Sequence, residues 1–264
     1  MYQTYWGLRT PPFANVPTEK LFYRSSRHQE ALSRLLYVIE HQRGVAMLTG
    51  EVGCGKTTVI KALKKCLDPE RYRFYLLSNP AMVPLDLLRS ILLNLGHRAE
   101  NGTKPYLLDQ LQEILVRNAH RGNRTVLAID EAHVIAHQET LEELRMLLNM
   151  QLNEQFLITL ILLGQPPLLK RIDALQPLKE RISVKYSLAP LDIDDTLKYI
   201  VYRLKCAGAT RGLFTNESIE RLYEYSRGIP LRINNLCDRC LLIGFMRRSQ
   251  VVDSRIVNDA IEDL

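Results

Sequence analysis

The sequence predicts an α/β fold: a parallel sheet flanked by helices, followed by a small all-helical lid domain. Three observations lead there. Short apolar runs alternate with helical stretches as far as Pro190. A glycine-rich loop joins one such run directly to a helix. Beyond Pro190 no convincing strand pattern appears. Near-continuous apolar strands between helices mean a parallel sheet covered on both faces, because both sides of each strand must leave water.

Taken in order, residues 1 to 23 are rich in aromatics and proline (Tyr5, Trp6, Pro11, Pro12, Phe13, Pro17, Phe22, Tyr23) at neither helical nor strand spacing. We expect an extended arm that folds back on the body. From Arg27 to His41 the apolar residues Ala31, Leu32, Leu35, Leu36, Val38 and Ile39 recur at helical spacing, and Gly44 ends that helix. Strands are expected at Val45 to Leu48, Phe74 to Leu77, Thr125 to Asp130, Phe156 to Leu163 and Val184 to Leu188. The intervening helices are expected at Thr57 to Cys66, Pro84 to Leu95, Tyr106 to Asn118 and Gln138 to Leu152, with a polar surface link at His97 to Pro105. Helices then follow at Asp192 to Cys206, Thr215 to Ser226, Leu231 to Met246 and Asp253 to Leu264, the first two opened by Asp192 and Thr215 as caps. The boundary is placed near residue 190, giving an α/β domain with its arm at 1–190 and the helical lid at 191–264. The lid, about 75 residues, is small to stand alone and should lean on the first domain.

Composition narrows the class. Apolar residues make up 46% and charged residues 24% of the 264, which excludes a disordered tail. Lysine and arginine outnumber aspartate and glutamate by 35 to 29, a formal charge of +6 that suits nucleic acid or anionic lipid without demanding either. The most apolar stretch, Phe156 to Gly164, is about half the length a bilayer-crossing helix needs. The start, MYQTYWGLRTPP, has neither a basic beginning nor an apolar core, so no secretory signal is expected. Five cysteines are scattered, and only Cys237 and Cys240 are close. We expect buried free thiols and a cytoplasmic protein.

The strongest chemical signal is G-E-V-G-C-G-K-T, Gly50 to Thr57, followed by Thr58. It matches G-x-x-x-x-G-K-[ST] in full and lies between a predicted strand and a predicted helix. In such a loop Gly50, Glu51, Val52, Gly53, Cys54 and Gly55 turn backbone N–H groups around phosphate oxygens. The following helix adds its positive end. Lys56 then serves the β and γ phosphates of ATP and Thr57 holds Mg²⁺. Cys54, at a helix N-terminus, is expected to be alkylation-sensitive if exposed.

The partner signal is Asp130–Glu131 at the end of the apolar run VLAI. Asp130 is expected to hold the metal and Glu131 to polarise the attacking water. Ala132 and His133 complete D-E-A-H, but no other helicase motif accompanies it, and His133 reads as a structural or coupling residue. Gln165, just past the strand ending at Leu163, either orders the lytic water or starts the turn into Pro166–Pro167. Arg181, before the last strand, can reach the neighbour's γ-phosphate if subunits form a ring or filament; Arg171 is the rival for that task.

Nearly the whole chain resembles the AAA+ ATPases of the ExeA, or general secretion pathway protein A, family. The residues that carry this are Y-W-G-L-R-T-P-P-F, P-T-E-K-L-F-Y, H-Q-E-A-L, the phosphate loop, L-L-G-Q-P at Leu162 to Pro166, Arg181–Ile182, and G-I-P-L-R-I-N-N-L-C-D from Gly228. The resemblance implies an AAA+ P-loop core with a helical lid, ATP hydrolysis coupled to oligomer assembly, and adenine held near the N-terminal segment. By that carry-over Phe22, Tyr23 and His28 become candidates for the base pocket, or else cement the arm to the core. Relatives usually place the sensor 2 arginine immediately after G-x-P. Here Leu231 stands there and Arg232 follows, a turn of roughly 100° on a helix. Arg232 either does a related task from a shifted position or the helix starts differently.

Secretion members commonly continue into a transmembrane segment and a peptidoglycan-binding domain, whereas this sequence runs to Leu264, so a stand-alone ATPase is expected. Gly228 with Arg232 four residues on also resembles the TniB and TnsC regulators of transposition, short proteins that polymerise with ATP on DNA and recruit a transposase. Lys61, Lys64 and Lys65, with Arg239, Arg247 and Arg248, are either contacts to duplex DNA or solvated surface. The expected function is an ATPase that drives its own assembly, as a transposition regulator on DNA. The alternatives are a secretion or envelope-assembly ATPase, or a nucleotide-gated switch.

Overall fold

The computed structural model describes residues 2–15, 22–98 and 102–263. They divide into two compact units. One comprises Met1–Gln29, Glu51–Thr58 and Ala189–Leu264; the other comprises Glu30–Gly50 and Val59–Leu188.

The second unit is built on a five-stranded sheet. Its strands are β1 (Val45–Thr49), β2 (Tyr72–Leu77), β3 (Arg124–Ile129), β6 (Ile158–Gly164) and β7 (Ile182–Ser187), in the order β2-β3-β6-β1-β7 and parallel throughout. Position in the sheet explains the sequence of each strand. The central β1 and β6 are buried at every residue, and β3 at all but its first. Both faces of these strands are covered, so both sets of alternating side chains are apolar. At the edge, β7 alternates half-buried and exposed residues, as I-S-V-K-Y-S requires.

Helices supply the cover. Val45, Met47, Leu127, Ile129, Leu160 and Leu162 share one core with buried residues of α4 (Pro84–Asn94), α5 (Lys104–His120), α6 (Gln138–Leu147), α7 (Pro167–Asp173) and α8 (Gln176–Lys179). The alternate residues Ala46, Leu48, Val126, Ala128, Ile161 and Leu163 are equally buried. So are Leu35 and Val38 of α2 (Ser26–Glu40) and Ile60 and Leu63 of α3 (Lys56–Cys66).

The first unit is helical: α1 (Tyr2–Trp6), α9 (Ile193–Cys206), α10 (Asn216–Ser226), α11 (Pro230–Met246) and α12 (Ser254–Glu262). Side-chain caps open three of these, with Asp192, Thr215 and Asp253 each accepting from the backbone N–H three residues on. The aromatic start of the chain belongs to this core. Trp6, Leu8 and Phe13 are buried with Ile200, Leu204, Leu236, Cys237 and Leu241, and the Trp6 indole donates to Leu241 O at 2.8 Å. Arg203 ties the same segment down. Buried at 5% exposure, it donates to Pro12 O at 2.6 Å, Ala14 O at 2.8 Å and the Tyr199 hydroxyl at 2.9 Å.

Several expectations need correction. The arm is not wholly extended, since Tyr2–Trp6 is helical; residues 16–21, which include P-T-E-K-L of P-T-E-K-L-F-Y, lie outside the described residues, as do 99–101 of the polar link and Leu264. The helix expected to reach Leu152 stops at Leu147. It gives way to a hairpin of β4 (Gln151–Leu152) and β5 (Gln155–Phe156), turned by Asn153 and Glu154, both at positive φ. That turn twists in the sense a two-residue hairpin needs. Phe156 therefore belongs to the hairpin rather than to β6. Helices α7 and α8 were not expected. Each has proline in its first turn, where the missing N–H costs nothing.

Removing the Arg203 guanidinium strands the buried carbonyl of Pro12 and the half-buried one of Ala14. Arg203→Met should lower stability by about 2–3 kcal/mol in denaturant titration, and protease cleavage should appear first within residues 1–25.

Candidate nucleotide site

The phosphate-loop sequence begins where β1 ends. The Gly50 N–H donates to Gly164 O at 3.2 Å and the Leu188 N–H donates to Thr49 O at 2.7 Å, continuing the ladder on both sides of β1. A Cβ on Gly50 would lie 2.7 Å from Leu188 O, so only glycine fits. Beyond it the chain turns through Gly53 at φ 83° and Gly55 at φ 100°, and α3 starts at Lys56. The start of an α-helix carries partial positive charge and turns its first N–H groups outward, chemistry that suits an anion.

The outward carbonyls of this loop are held by neighbours within the same unit. The Leu231 N–H donates to Gly53 O at 3.3 Å, and a Cβ on Gly53 would meet Leu231 Cβ at 2.5 Å and Ile229 Cγ2 at 3.2 Å. The residue in the sensor 2 place is thus a packing contact to the loop. Arg232 beside it is exposed and lies close enough to Cys54 to favour its thiolate. Cys54 O takes a hydrogen bond from His28 at 3.1 Å. Lys56, only 6% exposed, directs its ammonium to Glu51 O at 3.0 Å. Glu51 and Val52 are exposed, while Thr57 and Thr58 on the first turn of α3 are partly buried.

Exposure, the condition for an alkylation-sensitive Cys54, is not met. Cys54 is 1% exposed, and burial pushes its thiol up despite the pull of Lys56 and Arg232. Cys66 and Cys206 are exposed, so not all five thiols are buried; Cys237 and Cys240 are, with their thiols pushed up by burial.

The carboxylates lie at the same edge of the sheet as Gly50. Thr49 pairs with Gly164 and Ile129 with Leu162, so Gly50, Asp130 and Gln165 all follow carboxyl ends of adjacent strands. Asp130 is buried; its N–H donates to Leu77 O at 2.8 Å and its Oδ1 accepts from the Glu131 N–H at 2.9 Å. Glu131 sits at φ 55°, ψ 32°, a left-handed conformation that a glutamate rarely adopts. Its Oε2 is shielded from solvent and has no hydrogen-bond partner among the described residues. His133 Nδ1 lies 3.2 Å from that oxygen but accepts instead from the Gln165 N–H at 3.4 Å. The histidine therefore joins the segments bearing Glu131 and Gln165.

The remaining candidates are placed as follows. Tyr23 donates to Asp195 Oδ1 at 3.0 Å and packs edge-on to Tyr199. Burial, then the Asp195 bond, pushes its phenol up to about 12, so it stays neutral. Phe22 meets the His28 ring edge-on at 5.9 Å. Arg181 reaches Asn149 Oδ1 at 3.4 Å, and Arg171 is exposed on α7. Ser25 and Asp195 escaped the sequence reading. A capping serine three residues before His28 was the available signal for the first; nothing marked the second.

Native-state alkylation followed by mass spectrometry should modify Cys66 and Cys206 readily at neutral pH and spare Cys54, Cys237 and Cys240. The raised thiols hold little thiolate there. Rapid labelling of Cys54 would show the loop packing to be wrong.

Comparison with known proteins agrees with this geometry. The family model described as an AAA domain matches residues 39–172. General secretion pathway protein A of Aeromonas hydrophila is 38% identical over 257 residues, which is 96% of this chain and 46% of that protein. The chain thus spans less than half the length of this relative. Among solved structures, Drosophila ORC bound to DNA superposes with a TM-score of 0.73 at 16% identity, over 98% of this chain and 65% of that one. Cdc6p from Pyrobaculum aerophilum gives 0.72 at 14%, over 96% and 70%. These likenesses extend across the sheet and the helical unit alike. With half its length matched by the family model, its glycine loop intact and its fold shared, the chain belongs to the AAA domain family and is an ATPase of the AAA+ kind.

Proposed function

We propose that this ATPase binds ATP with Mg²⁺ at Gly50–Thr58 and hydrolyses it to drive assembly of its own subunits into a ring or filament. The observation that carries the proposal is the loop itself. Gly53 and Gly55 take positive φ and the carbonyls of Gly53 and Cys54 are held by neighbours, so the loop and the start of α3 suit an anion. For the metal that accompanies a nucleotide we assign two residues by their chemistry, each taken within its own unit: the hydroxyl of Thr57 on the first turn of α3 and the buried carboxylate of Asp130. Bound Mg²⁺ would neutralise charge on the phosphates. Lys56 serves the phosphates as a point charge.

Glu131 is assigned the proton from the attacking water. Its Oε2, shielded and without a hydrogen bond among the described residues, is an acceptor held in reserve. Gln165 orders that water, and His133 keeps the two in step through the Gln165 amide. Arg181 is assigned to a neighbouring subunit's γ-phosphate, with Arg171 as the rival. Phe22 and Tyr23 border the base, and Arg232 stands in for sensor 2. Residues 1–190 and 191–264 are taken as catalytic domain and lid.

Two readings of the partner remain in play. A regulator that recruits a transposase on duplex DNA fits the +6 charge. A secretion or envelope partner is favoured by the 38% identity to general secretion pathway protein A, which spans 257 residues and so includes surface as well as core. Among the described residues no helix is long and apolar enough to cross a membrane. In either setting the ATP state presents a binding surface and turnover resets it.

Glu131→Gln should keep ATP affinity and slow hydrolysis about a hundredfold or more, trapping the assembly. A variant that loses ATP binding, or turns over as before, removes Glu131 from the base role. Size measurement with ATP, with and without duplex DNA at two salt concentrations, separates the partners: DNA-dependent oligomers that weaken with salt support the DNA reading. Assembly indifferent to DNA at low salt rules it out.

A further inference from the structure

The phosphate loop has a support that none of the assigned roles explains. His28 stands three residues beyond the Ser25 cap of α2 and is 5% exposed. Ser25 Oγ lies 2.6 Å from His28 Nδ1 and also accepts from the His28 N–H at 3.3 Å. At the other side of the ring, Nε2 lies 3.1 Å from Cys54 O. A carbonyl only accepts, so Nε2 carries the hydrogen. In the neutral ring Nδ1 is then an acceptor, which the serine hydroxyl satisfies by donating. Burial holds the His28 ring below its ordinary range, favouring this neutral form.

The consequence falls on one peptide group. In a trans peptide the C=O and the following N–H point in opposite directions. Drawing Cys54 O toward His28 therefore turns the Gly55 N–H the other way. Gly55, at φ 100°, belongs to the residue type that allows such a peptide to turn over most cheaply. The ring also rests on the Gly55 α-carbon, for a Cβ there would stand 2.7 Å from Nε2. Hydrogen bond and contact together select one orientation of a peptide that glycine leaves free.

We infer that His28, oriented by Ser25, is a positioning residue for the phosphates: it locks the Cys54–Gly55 peptide with the Gly55 N–H turned to the anion. This rests on the loop's being the nucleotide site, and it moves His28 from the base end of the nucleotide to the phosphate end. The action is indirect, since His28 meets the loop's backbone and not the ligand.

The test compares His28→Ala, His28→Gln, His28→Asn and Ser25→Ala in the full chain. Binding of a fluorescent ATP analogue is measured directly, and tripolyphosphate, which has no base, is the competitor. Glutamine can place an N–H donor near the position of Nε2, whereas asparagine is too short. His28→Ala should weaken both ligands about tenfold, the value of one well-placed hydrogen bond. His28→Gln should restore most of that loss and His28→Asn should not. Ser25→Ala, which keeps the ring but frees its tautomer, should cost a smaller factor for both ligands and serves if the alanine variant does not fold.

A loss confined to the ATP analogue would return His28 to the base pocket and overturn the inference. So would equal weakening by alanine and glutamine, which would make the residue only a packing element. A wild-type chain that binds neither ligand refutes the nucleotide site itself, a separate failure that takes this inference with it.

Discussion

The register of three parallel strands is the constraint on which the rest depends. β3, β6 and β1 lie side by side with their carboxyl ends on one edge, and each ends in a residue of consequence: Asp130, Gln165 and Gly50. A slip of one residue would exchange the two faces of a strand and displace the residue at its end. The apolar cover on both faces forbids that slip. Burial of β1, β3 and β6 thus stabilises the fold and also fixes where the candidate residues stand. At Gly50 the same constraint becomes steric, because Leu188 O occupies the space of a side chain.

Beyond that edge the loop is held from outside as well as from within, where Lys56 bonds to Glu51 O. Its glycines remove the usual backbone preferences, and something else has to choose among the conformations they permit. Neighbours in its own unit do so through its carbonyls: the Leu231 N–H for Gly53 and His28 for Cys54. The burial of Cys54 follows from this packing. Placing cysteine there uses a small apolar side chain where the sequence context alone suggests a reactive one.

The carboxylate pair shows the opposite use of backbone freedom. Glu131 is kept left-handed without being glycine, next to a buried Asp130 that caps its N–H. Such a conformation costs on the order of 1–3 kcal/mol and persists only where its surroundings fix it. His133 contributes to that fixing by accepting from Gln165, and the bond leaves Glu131 Oε2 without a hydrogen bond among the described residues.

Much of the core was legible in advance because it rests on periodicity. The buried strands, the amphipathic helices and their caps at Asp192 and Thr215 follow from local pattern, and the phosphate loop follows from a motif whose spacing is set by backbone chemistry. The misses have a different origin. The hairpin at Asn153–Glu154 replaced the end of a helix, and prolines opened α7 and α8 where no element was expected, since short elements bury too little to show a period. The sequence by itself determined that a glycine-rich loop joins β1 to α3 and that acidic residues follow β3. Only the tertiary structure decided that Leu231 packs on the loop and that His28 bonds to Cys54 O. Each of those depends on residues far apart in the chain meeting at one peptide group, and local pattern carries no record of such meetings.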